Sequence, residues 1–372
     1  MNKKTRSLKL IVMSVLLISI FIIGGCSNNK NNESTEKEST KQTEKEKTDG
    51  TKTIVDTTGK EVKMASEVKS IAAVPIPWAS IIYAVDGNGE RISGMHPSAK
   101  KSYEKSILKD MAPELKNAST NFVDNDFTIH MEEAKKLNPD AMIIWDYQEA
   151  EIEQLKNIGI PGIALKYGTL KDLQNGIKVI GDVLDKQEQA SRLIEYHKET
   201  EEYFVSVKDK YEQSKKPRVL YLRDEELKVA GSKSADNIFI EMSGGENVSK
   251  DTPGQWVNVT MEQIIEWNPE IIYLSNFSDF KPEDILQNKI EGQDWSKIDA
   301  VKNNNVYKTP MGIYRWDAPC AETPIMIKWM ATVQQPEIFS KLDIKKELKE
   351  FYTKFLNYNL KEDEINRILN IK

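Results

Sequence analysis

Cysteine is nearly absent: the 372 residues hold only Cys26 and Cys320, which excludes a disulfide-stapled scaffold. Histidine is as scarce, with His96, His130 and His197 alone. No two of them stand at metal-ligand spacing, so a bare zinc or manganese carrier has no ligand set here. His197 falls in a long helical stretch and reads as solvated. Catalytic signatures are missing too. There is no Gly-x-Ser-x-Gly elbow, no Gly-x-x-x-x-Gly-Lys phosphate loop and no His-Glu-x-x-His pair. Paired acids such as Glu132-Glu133 and Asp224-Glu225 fall on surface helices or turns, where they are solvated. The chain reads as a non-enzyme. Positive charge is in deficit, 52 Lys and Arg against 58 Asp and Glu, a formal −6, which argues against a nucleic-acid partner.

What is present begins with a leader. Lys3, Lys4, Arg6 and Lys9 precede an apolar run from Leu10 to Ile23, too short for a comfortable membrane span and laid out as a secretory signal. It ends in Ile23-Gly24-Gly25-Cys26, which looks like a bacterial lipobox. Residues 1–25 are expected to be removed and Cys26 acylated, placing the protein outside the cytoplasm on a lipid anchor. Loss of the four basic residues leaves a net charge of about −10. Residues 26–52, rich in Ser, Asn, Thr, Lys and Glu, cannot bury enough surface to fold and read as a disordered tether.

About 320 residues remain, enough for two ordinary domains. They contain an internal echo. Met131-Glu132-Glu133-Ala134 through Leu137-Asn138-Pro139-Asp140 leads into Ala141–Trp145, and Met261-Glu262-Gln263-Ile264 through Trp267-Asn268-Pro269-Glu270 leads into Ile271–Ser275. Each copy is a short amphipathic helix ended by Asn-Pro and followed by an apolar strand covered on both faces. Val68–Val74 and Ile158–Leu165 read as further strands of a first lobe. Pro217–Leu222 and Asn305–Thr309 do so for a second. Strands alternating with helices predict an α/β fold: two similar lobes with central, mostly parallel sheets. Between them a helical stretch from Leu170 to Lys210 breaks near Leu184-Asp185-Lys186. Its second part, ~25 residues, would span ~37 Å, enough to bridge the lobes as one rigid helix. A helical hairpin confined to one lobe is the competing arrangement. The boundaries are an N-terminal lobe 53–186, a linking helix 187–213 and a C-terminal lobe 214–372.

At this point the chain resembles a known family, the iron-siderophore, haem and cobalamin binding proteins of ABC importers with a rigid helical linker (periplasmic binding protein class III). The resemblance rests on Asp56-Thr57-Thr58-Gly59-Lys60-Glu61-Val62, Leu137-Asn138-Pro139-Asp140, Gly244-Gly245-Glu246-Asn247-Val248 and the approach from Asp294-Trp295 to Asn305-Val306-Tyr307. It implies one exposed glutamate per lobe, docking on basic pockets of the permease. Glu132 and Glu262 fit, each seven residues before its proline.

A ligand in this architecture lies between the lobes, against loops at the carboxyl ends of strands. The residues expected there are Trp78, His96, Trp145, Tyr147, Arg223, Trp256, Tyr314, Arg315 and Trp316. Flat aromatics suit a bulky, partly apolar ligand, and the two guanidinium forks suit carboxylate or catecholate oxygens. Trp145 and Trp256 as core residues, and an Arg315–Asp317 ion pair, are the competing structural roles. His96 could place one axial ligand on haem or fill an open position on a ferric chelate, Tyr314 the latter as a phenolate. The expected function is extracytoplasmic capture of an iron complex, a ferric siderophore, for an ABC permease. Haem or a corrinoid is the alternative cargo, and a sensor or an exported lipoprotein enzyme a more distant reading. No resident cofactor or protein-bound metal is expected, and the chain reads as a monomer.

Overall fold

A computed structural model describes residues 50–371. The leader, Cys26 and the tether up to residue 49 lie outside the described residues. The last two residues assigned to the tether, Thr51 and Lys52, instead open a strand. Among the described residues no helix is long and apolar enough to cross a membrane.

Strands β1 (Thr51–Val55) and β2 (Glu61–Ala65) form an antiparallel hairpin. Its turn is fixed by the Asp56 carboxylate, whose Oδ1 accepts from the backbone of Thr58 at 2.8 Å and Lys60 at 3.1 Å, an Asx-type turn completed by left-handed Gly59. Strands β3 (Ile71–Ala73), β4 (Ile92–Met95), β5 (Ala141–Trp145) and β6 (Gly162–Leu165) make a wholly parallel sheet in the order β4-β3-β5-β6. Strands β7 (Arg218–Leu222), β8 (Lys228–Ala230), β9 (Glu246–Asn247), β10 (Trp256–Asn258), β11 (Ile271–Leu274) and β12 (Val306–Lys308) make the second sheet, in the order β10-β8-β7-β11-β12 with β9 also beside β7. Here β7, β11 and β12 run parallel, and β8 is antiparallel to both of its neighbours, β7 and β10.

The sequence echo is a structural one. Helices Met131–Leu137 and Met261–Trp267 both end at an asparagine in the left-handed conformation, Asn138 and Asn268, a common helix stop. The acid after each proline then clamps the neighbouring strand. Asp140 accepts from the backbone of Lys69 and Ser70 ahead of β3, and Glu270 accepts from the backbone of Arg218 at the start of β7.

Side chains alternate across both sheets with period two. Ile71, Ala73, Ala141, Ile143, Val219, Tyr221, Ile271 and Tyr273 enter one apolar core that runs without interruption between the two sheets. Ala72, Val74, Met142 and Ile144 turn to a separate cluster on the far side of the first sheet, and Leu220, Leu222, Ile272 and Leu274 to one beyond the second. The shared core takes in helices Trp78–Asp86, Leu170–Leu184, Gln187–Glu212, Thr323–Gln334 and Ile344–Leu356.

Leu170–Leu184 starts at a Thr169–Asp172 capping box and stops at left-handed Asp185, where the helical stretch breaks as the sequence predicts. The following 26-residue helix, Gln187–Glu212, does two things at once. Its first half folds back on Leu170–Leu184 as a hairpin, with Gly181 admitting Ala190. Beyond that it packs on Thr323–Gln334 and Phe339. Gln189 Nε2 donates both to Ala84 O at 3.2 Å and to Phe355 O at 2.8 Å, tying helices from opposite ends of the chain. His197 is not solvated. It lies buried on the inner stripe of this helix, its Nε2 donating to Ala321 O at 3.1 Å, and burial lowers its pKa to about 4.

Candidate functional site

Loops at the carboxyl ends of the parallel strands of both sheets enclose a cavity of about 410 Å³, within the range of small-molecule sites. From the first sheet come Ile76 and Pro77 after β3, Trp145-Asp146-Tyr147 at the end of β5 and Tyr167-Gly168 after β6, with Phe127 from a turn. From the second come Arg223 after β7, Lys233 to Asp236 after β8, Gln255-Trp256, Phe277 after β11, and Tyr314, Arg315 and Asp317 to Pro319 after β12. Tyr167 Oη donates to Pro319 O at 3.2 Å, joining the two walls.

Aromatic rings line the first wall. Trp145 and Tyr147 stack with centroids 6.2 Å apart and planes 15° from parallel, and Phe127 and Tyr167 meet Trp145 edge-on. The second wall is cationic on an aromatic base. The Arg223 guanidinium lies 4.1 Å from the Phe277 centroid and 5.3 Å from Trp256, and that of Arg315 lies 3.6 Å from Phe277. Such stacking holds a planar cation in place without using its hydrogen-bond edge. Arg315 also donates from Nη2 to Tyr314 Oη at 3.0 Å, and its Nε is 3.6 Å from Asp317 Oδ1. Burial opposes the Arg315 charge, but Tyr314 and Asp317 outweigh it and raise its pKa. Burial pushes Tyr314 up to about 12. Asp317 is itself positioned by Ser275 Oγ at 2.5 Å and Asn276 N at 2.6 Å, both donating to Oδ2. At the foot of the wall, helix Ala235–Met242 begins with Ser234 as its cap, and Asp236 points from its first turn with its carboxyl group buried.

Six of the nine expected ligand residues, Trp145, Tyr147, Arg223, Trp256, Tyr314 and Arg315, line this cavity. Trp78, His96 and Trp316 do not, and the placement expected for them is corrected here. Trp78 begins a helix and turns into the shared core, lying so close over Gly176 that a β-carbon there would overlap its ring. His96 caps helix Pro97–Lys105, its Nδ1 accepting from Ser98 N at 3.0 Å. It is fully buried behind Phe127, with its pKa lowered to about 4 by desolvation. Trp316 is fully buried in the core beneath the loop that presents Tyr314 and Arg315.

Sequence reasoning missed Phe127, Tyr167, Lys233 and Asp236. Tyr167 was within reach, two residues past a recognised strand. Lys233 and Asp236 follow a three-residue strand with no apolar run to announce it. Phe127 owes its place to a left-handed turn, φ 71°. Glu132 and Glu262 are exposed in the first turns of the twin helices. Among the described residues no cluster of three His, Cys, Asp or Glu is arranged to hold a metal ion.

A sequence model of the family described as periplasmic binding protein matches residues 99–311. The fold matches the crystal structure of a periplasmic solute binding protein from Veillonella parvula with TM-score 0.83 and 54% identity, covering 86% of this chain and 97% of that one. The molybdate-binding protein MolA of Haemophilus influenzae is 24% identical over 84% of this chain and 93% of its own length. The high-affinity heme uptake system protein IsdE of Staphylococcus aureus is 30% identical over 50% of this chain and 65% of its own length.

Proposed function

The chain belongs to the periplasmic binding protein family, and from that membership we propose that its cargo is a ferric siderophore held by its oxygen-rich face. It is an extracytoplasmic substrate-binding protein of an ABC importer, not an enzyme. The observation that carries the cargo reading is the pair of guanidiniums, Arg223 and Arg315, stacked on Phe277 inside an aromatic-walled cavity. Their in-plane donors face chelating oxygens, while Trp145, Tyr147 and Trp256 cover the ligand's carbon framework.

Haem or a corrinoid is the second reading, favoured by the near-parallel Trp145–Tyr147 pair, which suits a flat macrocycle, and by the similarity to IsdE. Among the described residues no histidine, cysteine or methionine lines the cavity. An axial ligand would therefore be a tyrosine, and burial favours the protonated form of Tyr314 against the opposing pull of Arg315. Molybdate, the ligand named for MolA, would leave most of the aromatic wall without a contact. The lipid anchor at Cys26 and permease docking through Glu132 and Glu262 complete the proposal.

Tryptophan quenching of the purified protein by ferric chelates, haem, cobalamin and molybdate tests this directly. Saturable quenching by at least one ferric chelate, and weaker response to the rest, is expected. Tight binding of molybdate or haem alone would overturn the cargo reading.

A further inference from the structure

Asp236 is a fully buried carboxyl of the cavity wall that forms no ion pair. It is 1% exposed. Its Oδ2 accepts from Ser234 Oγ at 2.9 Å, while Oδ1 has no hydrogen-bond partner. The groups facing it are Asp317 and Arg315 from the loop after β12, Tyr221 from β7 and Tyr167 from the loop after β6. Arg315 pairs with Asp317. The other cations lining the cavity, Arg223 and Lys233, form no ion pair with Asp236, so its Oδ1 is left open. A buried group left in that state is costly and is retained where a ligand completes it.

We infer that Asp236 is a specificity-determining residue that receives a protonated amine of the cargo on its unpartnered Oδ1. Resting on the chelate reading above, this makes the cargo dipolar, with metal-chelating oxygens toward Arg223 and an ammonium group toward Asp236. In the unloaded protein a proton takes the place of that ammonium. Burial first, and the neighbouring Asp317 second, hold the Asp236 carboxyl well above the usual range. Cargo binding then exchanges that proton for the ammonium, the proton leaving to solvent, and affinity rises with pH.

Two measurements test this with the intact protein. In the unloaded state, Asp236→Asn removes a group whose folded pKa is raised. The wild type loses stability relative to the variant as pH climbs above the unfolded carboxyl value. Asp236→Asn is therefore expected to melt higher than wild type at pH 8, with the gap closing toward pH 4. A variant that melts lower at pH 8 would assign the carboxyl to the scaffold and overturn the inference. For binding, the probes are the ferric complex of desferrioxamine B, which carries a free ammonium, and that of its N-acetylated form. Wild type is expected to prefer the amine by about tenfold or more, and Asp236→Asn to lose that preference. Equal affinities in wild type, or a preference that survives the substitution, overturn the inference and leave the chelate reading standing. If neither complex quenches the tryptophans while another ferric chelate does, the inference is overturned and the chelate reading stands; if no ferric chelate quenches them, both fall.

Discussion

Arg315 shows how much one residue in this cavity has to do. It stacks on Phe277, donates to Tyr314 and balances Asp317 while only 5% exposed. Arg315→Ala removes a charge-assisted contact to chelating oxygens and should weaken binding of a ferric chelate by ~1.5–3 kcal/mol. Isothermal titration against wild type checks this, and an unchanged dissociation constant would confine the arginine to pairing with Asp317. Arg315→Lys should not rescue, because an ammonium cannot both lie flat on Phe277 and present a planar fork. The sequence already posed the choice between ligand contact and Arg315–Asp317 pairing. The structure shows the pairing geometry alongside the cavity position, so the two roles are not exclusive. Trp316 was misplaced because adjacent loop residues point opposite ways, and sequence spacing does not say which way a loop turns.

At the scale of elements, the linking helix carries its own pH sensor of stability. His197 lies neutral in the core, with a folded pKa of about 4 against an ordinary 6.5. The folded state therefore binds fewer protons than the unfolded chain between those values. Stability is full above pH 6.5 and falls as pH drops toward 4, by ~3 kcal/mol for a shift of this size. His197→Gln should flatten that part of the stability curve, as chemical denaturation at pH 7, 5.5 and 4.5 would show. A variant curve parallel to wild type would refute it. The burial was legible: Leu193, His197, Thr200 and Phe204 fall three or four apart on one stripe, but a lone histidine on a charged helix was read by its chemistry and not by its phase. In the neighbouring helix, Gly176→Ala would push a methyl into the Trp78 ring, costing ~1–3 kcal/mol of stability, readable as a lower melting temperature. A melting temperature equal to wild type would mean the ring moves freely. The twin Asn-Pro-acid units were the most readable elements, because a left-handed cap, a proline stop and a strand-clamping acid each leave a residue-specific mark. Strands β8 to β10 left none, being two or three residues long and partly antiparallel.

For the whole molecule, the decisive feature is that both sheets turn alternate residues into a common apolar core. Interfaces between lobes allow relative motion when they are small and polar; here a continuous apolar core joins the two sheets, and close-packed interiors resist gradual deformation. Sequence patterning revealed two sheets but not that they share an interior, since a strand buried on both faces reads the same whatever covers it. The proposed docking glutamates sit on this stiff body. Reversing both, Glu132→Lys with Glu262→Lys, should sharply reduce cargo uptake by cells while the affinity of the purified protein for its chelate stays within about twofold, as expected of exposed charges that guide encounter and register. Undiminished uptake would remove them from the docking surface.

A frame that does not flex also cannot advertise. If Glu132 and Glu262 dock as proposed, a stiff frame would hold these two feet at one spacing whether full or vacant and offer a transporter the same stance in either condition, so recognition of a delivery would have to come from what protrudes at the mouth of the cleft. Vacant copies would then queue for the same berth as loaded ones, and making more receptor than there is cargo to fill it would lengthen the line.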